Sequence, residues 1–335
     1  MSRYAEAHVS PQGPGDARPT ALQIIKDEGV AGKLKGKVIV VTGVSSGLGV
    51  ETVRALDTTG ASFYLTARDL VKAKSALGDI FEPSRMKLVE MDQNSLKSVR
   101  AAAKTILADT DKINILINNA GIMATPFQLT EDGHESQFGV NHLSHFLFFQ
   151  LLKPALLAGS TPEFNSRVVN VSSAAHRFHG ILASDNYNFQ KGDYNKWASY
   201  GQSKTANIYM ASEIERRYGA RGLHGLSLHP GGIATGLMRY VPEEETKAMM
   251  AELGPEMLKK MKSPEQGAAT QVWAAISKEW EGKGGKYLAE VAEAEPGPND
   301  NDMTVSTTTG HTYNAAEEAR LWKDSLKIVG LADDE

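Results

Sequence analysis

The stretch KVIVVTGVSSGLG, residues 37 to 49, limits what this chain can fold into more than any other. Its first half is a β-branched run with no polar alternation, as expected of a strand buried on both faces. Its second half carries glycines at 43, 47 and 49 and leads into LGVETVRALDTTG (48 to 60), whose apolar spacing is helical. Glycines there remove side chains where the backbone must turn tightly and approach a pyrophosphate. The helix behind them offers free N–H groups and a positive dipole end. A plain glycine-rich turn is the alternative, and the spacing T-G-x-x-x-G-x-G departs from the commoner G-x-G-x-x-G. Its position at the first strand–helix junction favours the nucleotide reading.

Further strands are expected at SFYLTA (62 to 67), MKLVEM (86 to 91), INILIN (113 to 118), RVVNVS (167 to 172) and LHGLSLH (223 to 229). The segments between them, such as SLKSVRAAAKTIL (95 to 107), read as helices. Strands alternating with helices imply a doubly wound, Rossmann-type α/β domain with a mainly parallel sheet and helices on both faces. No repeat or linker divides the chain, so residues 37 to 335 read as one domain. Residues 1 to 19, rich in proline and glycine, are expected to be a mobile tail. Residues 20 to 36 add a short helix, capped by Thr20 and stopped by Gly29, and a connector. Residues 293 to 310 read as a polar surface loop before a last helix.

Net charge is −4, so no basic footprint points to nucleic acid or an anionic membrane. The absence of cysteine excludes disulfides, cysteine nucleophiles and thiolate metal sites. No apolar run is long enough for a membrane span, and the N-terminus has neither a signal core nor an Arg-rich amphipathic pattern. A cytoplasmic protein is expected.

The second strand ends in LTARD. An NAD site wants an acid there for the ribose 2′-hydroxyl, whereas this chain has Ala67 and then Arg68, which can pair with a 2′-phosphate. Lys72, one helical turn on, adds charge. The alternative is a solvated Arg68 paired with Asp69. Asp92 lies past the third strand, where an adenine would sit, or else serves as a helix N-cap. In INNAG (117 to 121), Asn119 can hold the sheet edge against a cofactor. In ASYGQSKTANI (198 to 208), Tyr200 and Lys204 stand four apart, on one face of a helix. Taken alone, that spacing occurs by chance in many proteins.

Five motifs occur in order: T-G-x-x-x-G-x-G at 42 to 49, N-N-A-G at 118 to 121, NVSS at 170 to 173, Y-x-x-x-K at 200 to 204 and HPGGIAT at 229 to 235. Together they resemble the short-chain dehydrogenase/reductase family over about residues 35 to 330. TARD, FGVNHLSHF and KSPEQGAAT look most like its retinol-dehydrogenase-like branch. Residues 1 to 36 extend beyond the family pattern. The segment from Ser173 to Tyr200 is longer than usual, which suggests an enlarged rim.

The resemblance implies a catalytic set of Ser173, Tyr200, Lys204 and Asn141. Moving hydride to a carbonyl carbon requires a proton on its oxygen. A free phenol, with a pKa of about 10, is a poor base near neutrality, and an ammonium one turn away favours the phenolate. By resemblance, Tyr200 is the general acid/base, Lys204 lowers its pKa and binds the nicotinamide ribose, and Ser173 donates to the substrate oxygen. Asn141 completes a proton relay through water. Ser172 is the rival of Ser173; neighbours on a strand end point opposite ways, and the family pattern selects the second. The implied cofactor set is Gly43, Ser46, Gly47, Leu48, Gly49, Arg68, Lys72, Asp92, Asn119, Tyr200, Lys204, Ile233 and Thr235, the last with a helix N-cap as its alternative.

His176 and His179 lack carboxylates at ligand spacing and read as rim residues, so no metal is expected. Residues 236 to 262, with Met238, Met249, Met250, Met257 and Met261, fall where the family places a substrate lid; a helix pair packed on the core is the alternative. The function implied is an NADP(H)-dependent oxidoreductase that interconverts a carbonyl and an alcohol on a hydrophobic small molecule. A homo-oligomer is compatible with this reading. A non-redox cyclase or isomerase, or a nucleotide-sensing module, would use the same fold, although a module that only binds has no use for the relay.

Overall fold

The computed structural model describes residues 2 to 333, apart from the side chains of Met250 and Leu253. The lid reading at Met250 therefore lies partly outside the described residues. In chain order the elements begin with α1 (Ala5–Val9), α2 (Ala21–Asp27), β1 (Val38–Thr42), α3 (Leu48–Asp57), β2 (Ser62–Ala67), α4 (Leu70–Leu77), β3 (Met86–Glu90), α5 (Leu96–Leu107) and β4 (Ile115–Asn118). A composite helix follows: α6 (Ser136–Phe138), a π-turn (Gly139–Leu143) and α7 (Ser144–Gly159). Then come β5 (Ser166–Val171), α8 (Lys196–Tyr218), β6 (Leu223–Leu228), α9 (Glu243–Lys260), α10 (Pro264–Gly267), α11 (Ala269–Ile276), β7 (Lys286–Ala289), β8 (Ala292–Glu293) and α12 (Ala315–Ile328).

The strands form one sheet in the order β3-β2-β1-β4-β5-β6-β7-β8, parallel except for the antiparallel β8. The reversal of strand order between β1 and β4 makes a topological switch point at their carboxyl ends. Both faces are covered. Ile39 and Val41 join a core with residues of α2, α3 and α11. Val40 points the other way, into a core with residues of α5, α7, α8 and α12. This is the doubly wound α/β architecture expected from the strand–helix alternation, since a β-branched run can be apolar throughout only when both faces are buried. Lys286–Ala289 and Ala292–Glu293 extend the sheet beyond the expected strands. They are too short, and too closely flanked by glycine, to announce themselves.

Thr20 caps α2 as expected, accepting a hydrogen bond from the Gln23 N–H. Residues 2 to 18, for which mobility was expected, are docked on the domain. Ser2 Oγ donates to the Val291 carbonyl at 2.6 Å, and Arg18 is 4% exposed. Composition could not foresee this, because the docking groups are single polar side chains set among prolines and glycines. Residues 236 to 262 comprise a short 3-10 turn and α9, whose path is broken at Gly254 (φ 68°) beside Pro255. The polar stretch after β8 is drawn around the buried Arg177, whose guanidinium donates to the carbonyls of Pro298, Thr307 and Thr308 and pairs with Asp300 at 2.5 Å. Among the described residues no helix is long and apolar enough to cross a membrane.

Candidate active site

The candidate site is built at the carboxyl ends of β1, β4, β5 and β6. The three glycines after β1 serve different ends. A Cβ on Gly43 would stand 2.7 Å from that of Ala120, and one on Gly49 would meet the Asn119 side chain at 2.8 Å, so both let the β1 and β4 turns pack together. Gly47 is less crowded: its would-be Cβ would meet Thr235 only at an ordinary contact distance, 3.7 Å. It takes a φ of 62° that favours glycine and begins α3 with no side-chain cap. The first N–H groups of α3 are therefore free to receive an anion. Ser46 and Leu48 flank this opening, Ser46 exposed and Leu48 half-buried.

Beneath the turn lies a polar hub that the sequence did not single out. Thr42 Oγ1 accepts from the N–H groups of Asn119 and Ala120, each at 3.0 Å, and lies 2.9 Å from His145 Nε2. Asn119 Nδ2 donates to the Thr42 carbonyl at 2.9 Å, which ties the β1 and β4 ends together. Thr42 stands inside the glycine motif, but no local signal marks His145 as its partner.

At the end of β2, Arg68 is exposed and makes no side-chain hydrogen bond or ion pair among the described residues. The alternative pairing with Asp69 is not formed: Asp69 Oδ1 instead caps α4 by accepting from the Lys72 N–H at 2.9 Å. Lys72 is exposed beside it. Asp92 is not the N-cap of α5; that position belongs to Ser95. Its Oδ1 accepts from the Asn94 N–H at 2.9 Å in a local turn, because three residues separate it from the helix start.

The catalytic candidates come from three separate elements, the π-turn, the turn after β5 and α8, and converge. Asn141 sits in the π-turn, the kind of widened helical turn often found at functional sites. Its Nδ2 donates to the Ile122 carbonyl and to Ser203 Oγ, both at 2.9 Å, and its Oδ1 accepts from the Ile122 N–H at 2.9 Å. Gly121 explains the fit: a Cβ there would stand 3.1 Å from Asn141 Oδ1 and 3.5 Å from Lys204 Nζ. Lys204 Nζ donates to the Val171 carbonyl at 3.0 Å and lies 5.5 Å from the Tyr200 ring centre.

Burial pushes the Tyr200 phenol up to about 12, against the effect of a hydrogen bond with Ser173. Burial also brings the Lys204 ammonium down to about 8. The expectation that Lys204 depresses the Tyr200 pKa is thus not met in this arrangement. Both groups are desolvated, and desolvation favours the neutral form of each. The serines divide as expected of neighbours on a strand end. Ser172 Oγ donates to the Lys204 carbonyl at 2.7 Å, so it is spent on α8. Ser173 begins the next turn, its Oγ accepting from the Ala175 N–H at 3.1 Å.

His176 has both ring nitrogens engaged, 2.8 Å from the Ser173 carbonyl and 3.0 Å from Thr312 Oγ1. Beyond β6, Thr235 Oγ1 accepts from the Leu237 N–H at 3.3 Å, the capping role given as its alternative. Ile233 bridges to Lys262 and packs against Gly267, which also touches Leu48. The loop 230 to 235 thereby closes one side of the glycine turn. Lys262, which the sequence reading passed over, is buried behind this loop, with Nζ 3.4 Å from the Pro230 carbonyl.

Comparison with known proteins bears on what such a site does. A sequence model described as short chain dehydrogenase matches residues 37–246. The chain is 50% identical over 331 residues to the short-chain dehydrogenase/reductase prx1 of Penicillium roqueforti, covering 99% of this chain and 96% of that protein. It is 36% identical over 301 residues to retinol dehydrogenase 13 of Homo sapiens, covering 89% and 86%. Among solved structures, an uncharacterised protein of Mycobacterium paratuberculosis superposes with a TM-score of 0.68 at 28% identity, covering 94% of this chain and 98% of that one.

Proposed function

Because the chain belongs to the short-chain dehydrogenase/reductase family, and is thus an oxidoreductase that works with a nicotinamide cofactor, we propose that it uses NADP(H) to interconvert a carbonyl and an alcohol on a hydrophobic small molecule, with Tyr200 as general acid/base. The observation that carries this reading is the convergence of Asn141 and Lys204 on Gly121, with Lys204 5.5 Å from the ring centre of the buried Tyr200. A fold used only for binding has no need of that set.

The residues present fit the cofactor. The uncapped start of α3 behind the positive-φ Gly47 suits a pyrophosphate, and the solvated Arg68, unpaired among the described residues, suits a 2′-phosphate. When bound, the cofactor supplies or takes the hydride. Tyr200 then hands its phenolic proton to the substrate oxygen in reduction and takes it back in oxidation. Ser173 donates a hydrogen bond to the same oxygen, where negative charge develops. Asn141 holds the Ile122 backbone beside Lys204 and offers Lys204 a route for proton replenishment through water. A Tyr200 held up at about 12 is protonated at neutral pH, the form that reduction uses.

Met238, Met249, Met257 and Met261 are half-buried along the segment 236 to 262, and Phe127, Leu129 and Tyr240 are exposed apolar residues of the loops that follow β4 and β6. They support a hydrophobic substrate, and the position of the segment supports a lid. The test is a panel of ketones and aldehydes, with NADPH and with NADH, scored by nicotinamide absorbance. Turnover of several apolar carbonyls with NADPH is expected. Rearrangement of a substrate with no change in absorbance would replace this reading with a non-redox one.

A further inference from the structure

The N-terminal segment reaches the site through one buried guanidinium. Arg18 Nη1 donates to the Lys260 carbonyl at 2.7 Å, and Nη2 donates to the carbonyls of Met261 at 2.6 Å and Lys259 at 3.3 Å. These carbonyls end α9, where no intrahelical donor remains and a cation complements the dipole. Asp16 holds the guanidinium through Nε at 2.8 Å. Gln266 fastens the same turn: its Oε1 accepts from the N–H groups of Gly15 at 2.9 Å and Ser263 at 3.0 Å, and its Nε2 donates to the Arg18 carbonyl at 3.0 Å.

From there the connection runs to the loop after β6. The Lys262 N–H donates to the Gly232 carbonyl at 2.8 Å, and Met261 Sδ lies 2.9 Å from where a Gly232 Cβ would stand. Lys262 Nζ also pairs with Glu290 at 3.2 Å, and Glu290 lies 3.0 Å from His8 Nε2 on α1.

The other end of α9 is held differently. Glu245 pairs with Lys196 at 2.6 Å, one turn before Tyr200, but the two side chains are 37% and 26% exposed. A solvated ion pair contributes little and is screened by salt, whereas several charge-assisted bonds to one buried group hold firmly. Between the two ends lies the break at Gly254 and Pro255.

We propose that Arg18 is a positioning residue: it pins residues 255 to 262 against the loop 230 to 235, so that the site opens only by movement of the half of α9 before Gly254. This rests on reading 236 to 262 as a lid, yet the pin itself is testable without any ligand.

The experiment is hydrogen exchange on the full chain as wild type, Arg18→Ala and Arg18→Lys, with NADPH and NADH binding measured on each. In the wild type, residues 255 to 262 should exchange at least tenfold more slowly than 243 to 253. Arg18→Ala should raise exchange in 255 to 262 about tenfold or more and weaken NADPH and NADH alike by roughly tenfold, with exchange in α5 unchanged. Arg18→Lys, which keeps the charge and three donors, should restore part of both. Equal exchange of the two halves in the wild type overturns the pin, and so does an Arg18→Ala variant with unaltered 255 to 262. If Arg18→Ala does not fold, the wild-type ranking and Arg18→Lys decide. Failure of 243 to 253 to gain protection with NADPH and a reducible carbonyl would remove the lid reading and leave the ligand-free result standing.

Discussion

Tyr200 and Lys204 are each 4% exposed, and Lys204 is already engaged with the Val171 carbonyl, whereas Arg68 and Lys72 stand in solvent with no side-chain partner among the described residues. In the proposed function, the first pair serves the nicotinamide end of the cofactor and the second its ribose-phosphate end. Burial shifts both pKa values at one end, while exposure leaves the Arg68 side chain free to meet a ligand. The two ends should therefore answer to different perturbations, the buried one in rate and pH profile and the exposed one in cofactor choice and salt.

The largest expected effect falls on the buried end. Tyr200→Phe should lower turnover by about 10²–10⁴ while leaving cofactor affinity nearly unchanged, because the proton donor is lost and the glycine turn is not. Steady-state rates and a binding titration check this; activity within a few-fold of wild type would remove Tyr200 from the chemistry.

Next comes the exposed end. Arg68→Ala should weaken NADPH by roughly 10- to 100-fold and NADH little, the worth of one charge-assisted contact. The NADPH loss should shrink as salt is raised. Equal losses for both cofactors would contradict a 2′-phosphate contact.

The pH profile sharpens the contrast. Burial brings Lys204 down from 10.5 to about 8, so its ammonium is lost as pH rises through about 8, while Tyr200 keeps its proton to about 12. For reduction, kcat/KM should be level on the acid side and fall above about pH 8, approaching a tenfold loss per unit. Lys204→Arg, whose guanidinium stays charged, should lower the overall rate but abolish that limb. A limb unchanged by the substitution would assign it elsewhere.

The smallest effect belongs to the Glu245–Lys196 pair. Glu245→Gln should change the apparent KM for a carbonyl by no more than a few-fold, and not at all at high salt. A large, salt-independent loss would mean that this pair anchors its end of α9 as firmly as Arg18 anchors the other.

Much of this was legible in the residues alone. The β-branched run at 38 to 42 could be apolar on both faces only in a doubly covered sheet, and the sheet observed is of that kind. The family resemblance implied a set of Ser173, Tyr200, Lys204 and Asn141, and the structure brings Asn141 and Lys204 together at Gly121. Local chemistry also named the cap at Thr20. The alternative reading of Asp92 as a cap was not met, because Ser95 takes that place and Asp92 closes a local turn instead.

What only the tertiary structure decided depends on partners distant in the chain. Ser172 and Ser173 are adjacent letters, and it is the approach of α8 that commits the first to the Lys204 carbonyl. Both pKa shifts come from desolvation, which no local spacing reports. Arg18 lies in a stretch whose composition reads as a tail, and it is buried where its guanidinium donates to three carbonyls at the end of α9, more than two hundred residues away. A sequence displays which groups a chain carries and how they repeat. Which of them lose water, and to whom they then bond, follows from the packing of segments far apart in it.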